Sequence, residues 1–108
     1  MVSEVMTQVA LESLIQDNTL LFIEFWAEWC APCKHFTAIY ESVAQQFPKI
    51  PFIKLNIEFH KELVSSWGIL SVPHLMIIKE GIAVYSDAGA VSSEILKELV
   101  QQAVAFNV

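Results

Sequence analysis

The stretch TLLFIEFWAEWCAPCKHF, Thr19 to Phe36, holds two kinds of pattern back to back. Its first half, Thr19–Ala27, is β-rich and apolar at consecutive positions, broken only by Glu24. A strand reads that way when both of its faces are buried, as in the centre of a sheet with helices on either side. Its second half opens a different period. Phe36, Ile39, Tyr40, Val43, Ala44 and Phe47 recur at spacings of three and four, which predicts an amphipathic helix ending before Pro48. Cys30 and Cys33, the only cysteines in the chain, fall at the junction.

A helix N-terminus has unpaired backbone N–H groups and a partial positive charge. Both favour thiolate over thiol at Cys30. A shift of a thiol pKa from ~8.5 to ~7 corresponds to ~2 kcal/mol and raises the thiolate fraction at neutral pH to about half. Cys33 lies one turn further in and is expected to be less exposed. Cys30 is therefore the attacking sulfur and Cys33 the resolving one. Two intervening residues put both sulfurs on one helical face, within bonding reach. Pro32 suits the first turn, where a missing N–H costs least.

Outward from this junction, IPFIKLNIE (Ile50–Glu58) and PHLMIIKEG (Pro73–Gly81) read as further buried strands. GIAVYSDAG (Gly81–Gly89) follows at once and forms a hairpin with the preceding run. Thr7 caps a first helix with Ala10, Leu11, Leu14 and Ile15 on one face. A short helix covers Lys61–Trp67, stopped by Gly68, and a last one from Ser92 turns Ile95, Leu96, Leu99, Val100 and Val104 inward. Val2–Met6 is a weak first strand. The order is strand, helix, strand, helix, strand, helix, strand, strand, helix, which predicts an α/β sheet with a parallel part and an antiparallel edge.

The chain has 108 residues, enough for a single domain over 1–108, and is 55% apolar, which argues against disorder. No apolar run approaches the ~18 residues of a helical membrane span. A net charge of -6 and the lack of any arginine make nucleic acid and anionic membranes poor partners. The N-terminal MVSEVMTQ has neither a basic start nor a sustained apolar block, so a cytoplasmic location is expected. In a reducing compartment a CxxC pair is catalytic or metal-binding rather than structural. Zinc would need two of His35, His60 and His74 beside the cysteines, and none has paired-histidine spacing.

WCAPCK resembles the thioredoxin active site, usually Trp-Cys-Gly-Pro-Cys-Lys. The resemblance runs along nearly the whole chain: EFWAEWC before the site, FIKLNIE, WGILSVPHL with its cis-proline position, KEG and AGA, all in order. It implies the thioredoxin fold, three layers α/β/α with a central mixed five-stranded sheet flanked by four helices. It implies a protein-disulfide reductase and electron carrier, serving cell redox homeostasis as a monomer. No cofactor would be bound; the Cys30–Cys33 disulfide would be recycled by an NADPH-dependent flavoprotein, thioredoxin reductase. Cys30 would be the nucleophile and Cys33 the resolving thiol. Trp29 would flank the site beside Pro32. Pro73 would be the cis-proline, with the Val72 backbone pairing an extended substrate segment. Glu24 would be the buried acid that accepts the Cys33 proton, and Lys54 the lysine that pairs with it.

The chain departs from that pattern at Ala31 for glycine, Glu24 for aspartate, Ala38 for a helix-kinking proline, and His74 for threonine. These bear on redox potential and substrate range more than on fold. Two other functions stand beside the reductase: an oxidase or isomerase of higher potential, and a non-catalytic binding or scaffold module. Among the remaining residues, Lys54 reads equally well as solvent-facing. Trp26 and Trp67 read as core, and His35 and His60 as solvated. His74 reads as a hydrogen-bonded packing residue or, more sharply, as a group coupled to the Cys30 thiolate.

Overall fold

A computed structural model describes residues 2–108; Met1 lies outside them. The strands are β1 (Val2–Glu4), β2 (Leu20–Trp26), β3 (Phe52–Asn56), β4 (His74–Lys79) and β5 (Ile82–Ala88). The helices are α1 (Gln8–Asp17), α2 (Ala31–Gln46), α3 (Lys61–Ser66) and α4 (Ser93–Ala105), with a 3₁₀ turn at Ile57–Phe59. The sheet runs β1-β3-β2-β4-β5. β1 and β2 both lie parallel to β3, whereas β4 is antiparallel to β2 and β5 to β4. This is the mixed five-stranded sheet with four helices that the sequence resemblance implies.

Alternation along the strands builds two cores. Phe22, Phe52, Leu75 and Ile77 face Phe36, Tyr40 and Val43 of α2 and Leu96 and Val100 of α4. Leu21, Ile23, Phe25, Ile53, Leu55, Met76 and Ile78 face the other way, against Leu11 of α1 and Leu63 and Val64 of α3. β2 is central and buried from Leu21 through Phe25, which is why its polar residue, Glu24, has no route to water. α2 is one continuous helix through Ala38, consistent with the lack of a proline there.

Three expectations about helix faces and loop burial need correction here. In α4, Ile95 and Val104 are about half exposed, and the inward stripe is Leu96, Leu99, Val100 and Ala103. His60 is not solvated; it is buried and its Nε2 lies 2.8 Å from the Val5 carbonyl. On α1 only Leu11 is fully buried, and Ala10 is exposed. In each case a neighbouring element covers a narrower or different strip than the helix period alone suggests.

One buried lysine organises the far end of the sheet. Lys79, at the end of β4, sends Nζ to the carbonyls of Ala103 (2.6 Å), Val104 (2.9 Å) and Phe106 (2.5 Å). The last carbonyls of a helix lack intrahelical partners and carry the negative end of its dipole, so an ammonium is the fitting cap.

Candidate active site

β2 ends at Trp26, a turn is closed by Cys30 N–H to the Ala27 carbonyl (3.2 Å), and α2 begins at Ala31. Cys30 is thus the N-cap of α2, and its Sγ accepts a hydrogen bond from Cys33 N–H at 3.1 Å. The two cysteines are joined in a disulfide, with Cα atoms 5.3 Å apart. Cys33 has no exposure and Cys30 retains 5%, packed with Ala27 and flanked by Trp26, Ile57 and Val72. The expected order of accessibility holds, although in the oxidised form even Cys30 shows only a sliver of surface.

The peptide bond between Val72 and Pro73 is cis. The Val72 carbonyl oxygen lies 3.7 Å from Cys30 Sγ. A disulfide sulfur has no proton to donate, so in this oxidation state that approach is a packing contact. The Pro73 carbonyl accepts from Gly89 N–H at 2.8 Å, where Gly89 has a positive φ of 101°. That conformation is cheap for glycine and anchors the loop to the end of β5. Next to Cys30 in the chain, Trp29 is 68% exposed. Trp29 is steadied by Glu58, whose Oε1 accepts from the indole N–H at 3.1 Å. Pro32 is exposed in the first turn of α2.

The carboxyl group of Glu24 is fully buried. Oε2 accepts from the Thr37 hydroxyl at 2.7 Å, and Oε1 has no partner among the described residues. Thr37 stands one helical turn beyond Cys33 on α2, so the carboxyl group lies along the same helix face. Burial pushes the Glu24 pKa from 4.5 up to about 7, against the lowering effects of the Thr37 hydrogen bond and, at longer range, of Lys54.

Lys54 forms no ion pair with Glu24. The two residues are register partners across β2 and β3, but the Lys54 ammonium sits 4.9 Å above the Trp26 ring. The same Trp26 donates its indole N–H to Glu4 Oε1 at 2.8 Å, and Glu4 Oε2 takes the Asn56 N–H at 3.0 Å. The aromatic face thus holds the lysine, and its attraction reaches Glu24 only through space. Trp26 itself is half-buried rather than core.

His74 lies on the sheet face opposite α2, with Met76 and Ile78. Its Nε2 is 2.8 Å from Ser86 Oγ and its ring stands edge-on to Phe25 at 5.8 Å. Burial lowers its pKa, with Asp87 opposing, so it is neutral at pH 7. The Ser86 contact fits the packing reading, while Nδ1 is buried with no partner among the described residues. Sequence reasoning missed Thr37, Glu4 and Glu58. An i+4 threonine after the second cysteine was the available signal for the first; the other two come from segments remote in sequence, which carried none.

Compared with known proteins, residues 2–102 match the family model described as Thioredoxin. A thioredoxin-named relative from Streptomyces coelicolor is 39% identical over 98 residues, covering 91% of this chain and 73% of the relative. Thioredoxin 1 of Plasmodium falciparum is 34% identical over 102 residues, covering 94% of this chain and 97% of that one. The solution structure of the oxidised thioredoxin from Plasmodium falciparum superposes with a TM-score of 0.84 at 32% identity, over 94% of this chain and 97% of the other.

Proposed function

Because this chain belongs to the thioredoxin family and is a thiol–disulfide oxidoreductase that reduces protein disulfides, we propose a fixed division of labour among its site residues. The observation that carries it is the asymmetry of the cysteines: Cys30 Sγ sits at the α2 N-terminus under the Cys33 N–H, and Cys33 is sealed beneath it. In the dithiol form, that N–H and the helix terminus stabilise a Cys30 thiolate. The thiolate attacks one sulfur of a substrate disulfide; a Cys30–substrate bond forms and the other substrate sulfur leaves as a thiolate. Cys33 then gives its proton to Glu24 and attacks Cys30 Sγ. The Cys30–Cys33 bond forms, the mixed disulfide breaks, and the second substrate sulfur departs. Two electrons have passed to the substrate, whose thiolates take protons from water.

An extended substrate segment binds along the Val72–Pro73 backbone by strand addition, over the apolar collar of Trp29 and Pro32. Lys54 acts as a distant positive charge that eases ionisation of Glu24 rather than as its ion-pair partner. The oxidised pair is returned to the dithiol by an NADPH-dependent flavoprotein reductase. The protein acts as a monomeric electron carrier in the cytoplasm; a chain whose only cysteines form its redox couple suits a reducing compartment.

The test is a coupled assay in which NADPH oxidation follows insulin reduction in the presence of a thioredoxin reductase. Turnover is expected from the parent and none from Cys30→Ser. Cys33→Ser should stall with substrate attached to Cys30. Equal trapping by both single-serine variants, or NADPH consumption without Cys30, would refute the assignment.

A further inference from the structure

A threonine inside a helix ordinarily returns its hydroxyl to the carbonyl four residues back. For Thr37 that carbonyl belongs to Cys33. Thr37 spends its single proton elsewhere, on Glu24 Oε2 at 2.7 Å. The other oxygen, Oε1, is buried and unpartnered. A buried glutamate held by nothing else would populate several rotamers about its flexible stem, with its two oxygens interchangeable. The bond from α2 removes that freedom. It ties the carboxyl group to the helix that carries Cys33 and leaves one oxygen uncommitted.

Resting on the proton-acceptor reading of Glu24 above, we propose that Thr37 is the positioning residue for the resolving step. Its hydroxyl commits Oε2 and presents Oε1 as the atom that receives the Cys33 proton. When Cys33 S–H is deprotonated, the proton moves to Oε1 and the Thr37 bond to Oε2 persists. The electron pair left on Cys33 Sγ then forms the bond to Cys30 Sγ as the substrate sulfur leaves.

The same bond has an electrostatic consequence. The groups facing the Glu24 carboxyl are Lys54 on β3, Glu4 on β1, and Glu41 and Tyr40 on α2; the sheet partner on β4 is the uncharged Leu75. The two carboxylates oppose ionisation and Lys54 favours it from a distance. Thr37 is the one direct donor, and it favours the charged form. Burial pushes Glu24 toward the protonated form, which cannot accept. The Thr37 bond draws it back toward ionisation, so that near pH 7 it can both take up and release a proton.

The experiment separates attack from resolution in one transient. Reduced protein is mixed with dithiobis(nitrobenzoate) in a stopped-flow instrument. The first thionitrobenzoate reports attack by Cys30, and the second reports resolution by Cys33. Thr37→Val keeps the branched shape and removes the donor; Thr37→Ser keeps the donor. In Thr37→Val the acidic limb of the second phase should move up by about one pH unit, the size of effect for one hydrogen bond to a charged group. At pH 7 the Glu24 carboxylate then falls from about half to about a tenth of the molecules, and resolution slows about five-fold. The first phase should be unaltered, and Thr37→Ser should restore the parent limb. Thr37→Ala reads the same limb should the valine variant fold poorly. Glu24→Gln is the control: it should abolish the limb. If Glu24→Gln abolishes it and the valine and alanine variants leave it in place, the inference about Thr37 is wrong while the acceptor reading stands. If Glu24→Gln leaves the limb intact, both fail.

Discussion

Replacing Glu24 by Gln should alter how stability depends on pH, by an amount the structure sets. The carboxyl group is fully buried, and its pKa rises from 4.5 to about 7 on folding because burial disfavours the charge. The sign follows from linkage. Below about pH 4.5 the group is protonated in both the folded and unfolded chain and burial of the neutral acid carries no ionisation penalty. As pH rises toward 7 the unfolded chain releases its proton while the folded one holds on, so stability falls. Above pH 7 the folded protein also ionises and the loss levels off. A shift from 4.5 to about 7 amounts to about 3.5 kcal/mol at ~1.4 kcal/mol per unit, most of which is expressed between pH 4 and pH 8. Glutamine keeps an acceptor for Thr37 but buries a new amide, a cost on the order of 1–3 kcal/mol that does not vary with pH. The quantity to measure is therefore the difference between parent and variant across pH, in which that constant and the titration of all other groups cancel. Guanidinium unfolding of both oxidised proteins at pH 4 and pH 8 gives it. The variant should gain about 3 kcal/mol on the parent between the two. A difference that stays flat would mean that Glu24 ionises as freely folded as unfolded, and the buried-acid argument would collapse.

Lys79→Met should destabilise the protein by about 2 kcal/mol, lowering the melting midpoint by roughly 10 °C, because three carbonyls at the end of α4 lose a charged donor. An unchanged midpoint would show that water replaces the ammonium without cost. His74 should titrate by NMR below the ordinary 6.5 of a histidine, and His74→Thr should leave the pH profile of Cys30 alkylation a single step like the parent's. A second step in the parent that the variant lacks would restore the idea of coupling to the thiolate.

Much of the site was readable one residue at a time. The apolar run of β2 and the three-four spacing of α2 placed Cys30 at a helix start, and a helix start favours a thiolate wherever it occurs. Glu24 was recognisable as buried because a carboxylate in the middle of a two-faced apolar strand has nowhere else to go. The half-exposure of Ile95 and the burial of His60 were not readable, since each depends on which neighbour covers it.

What the sequence by itself determined was therefore local: the elements, their order, and the inequality of two thiols set by backbone geometry within four residues. Which partners the charged groups take was decided only by the tertiary structure. Lys54 and Glu24 are register neighbours, yet the Trp26 ring, oriented by Glu4 from the sheet edge, holds the lysine, and a helix hydroxyl takes the acid. Hydrogen bonds and charge–aromatic contacts act over a few ångströms and depend on direction. They are settled only when strands distant in sequence are laid side by side.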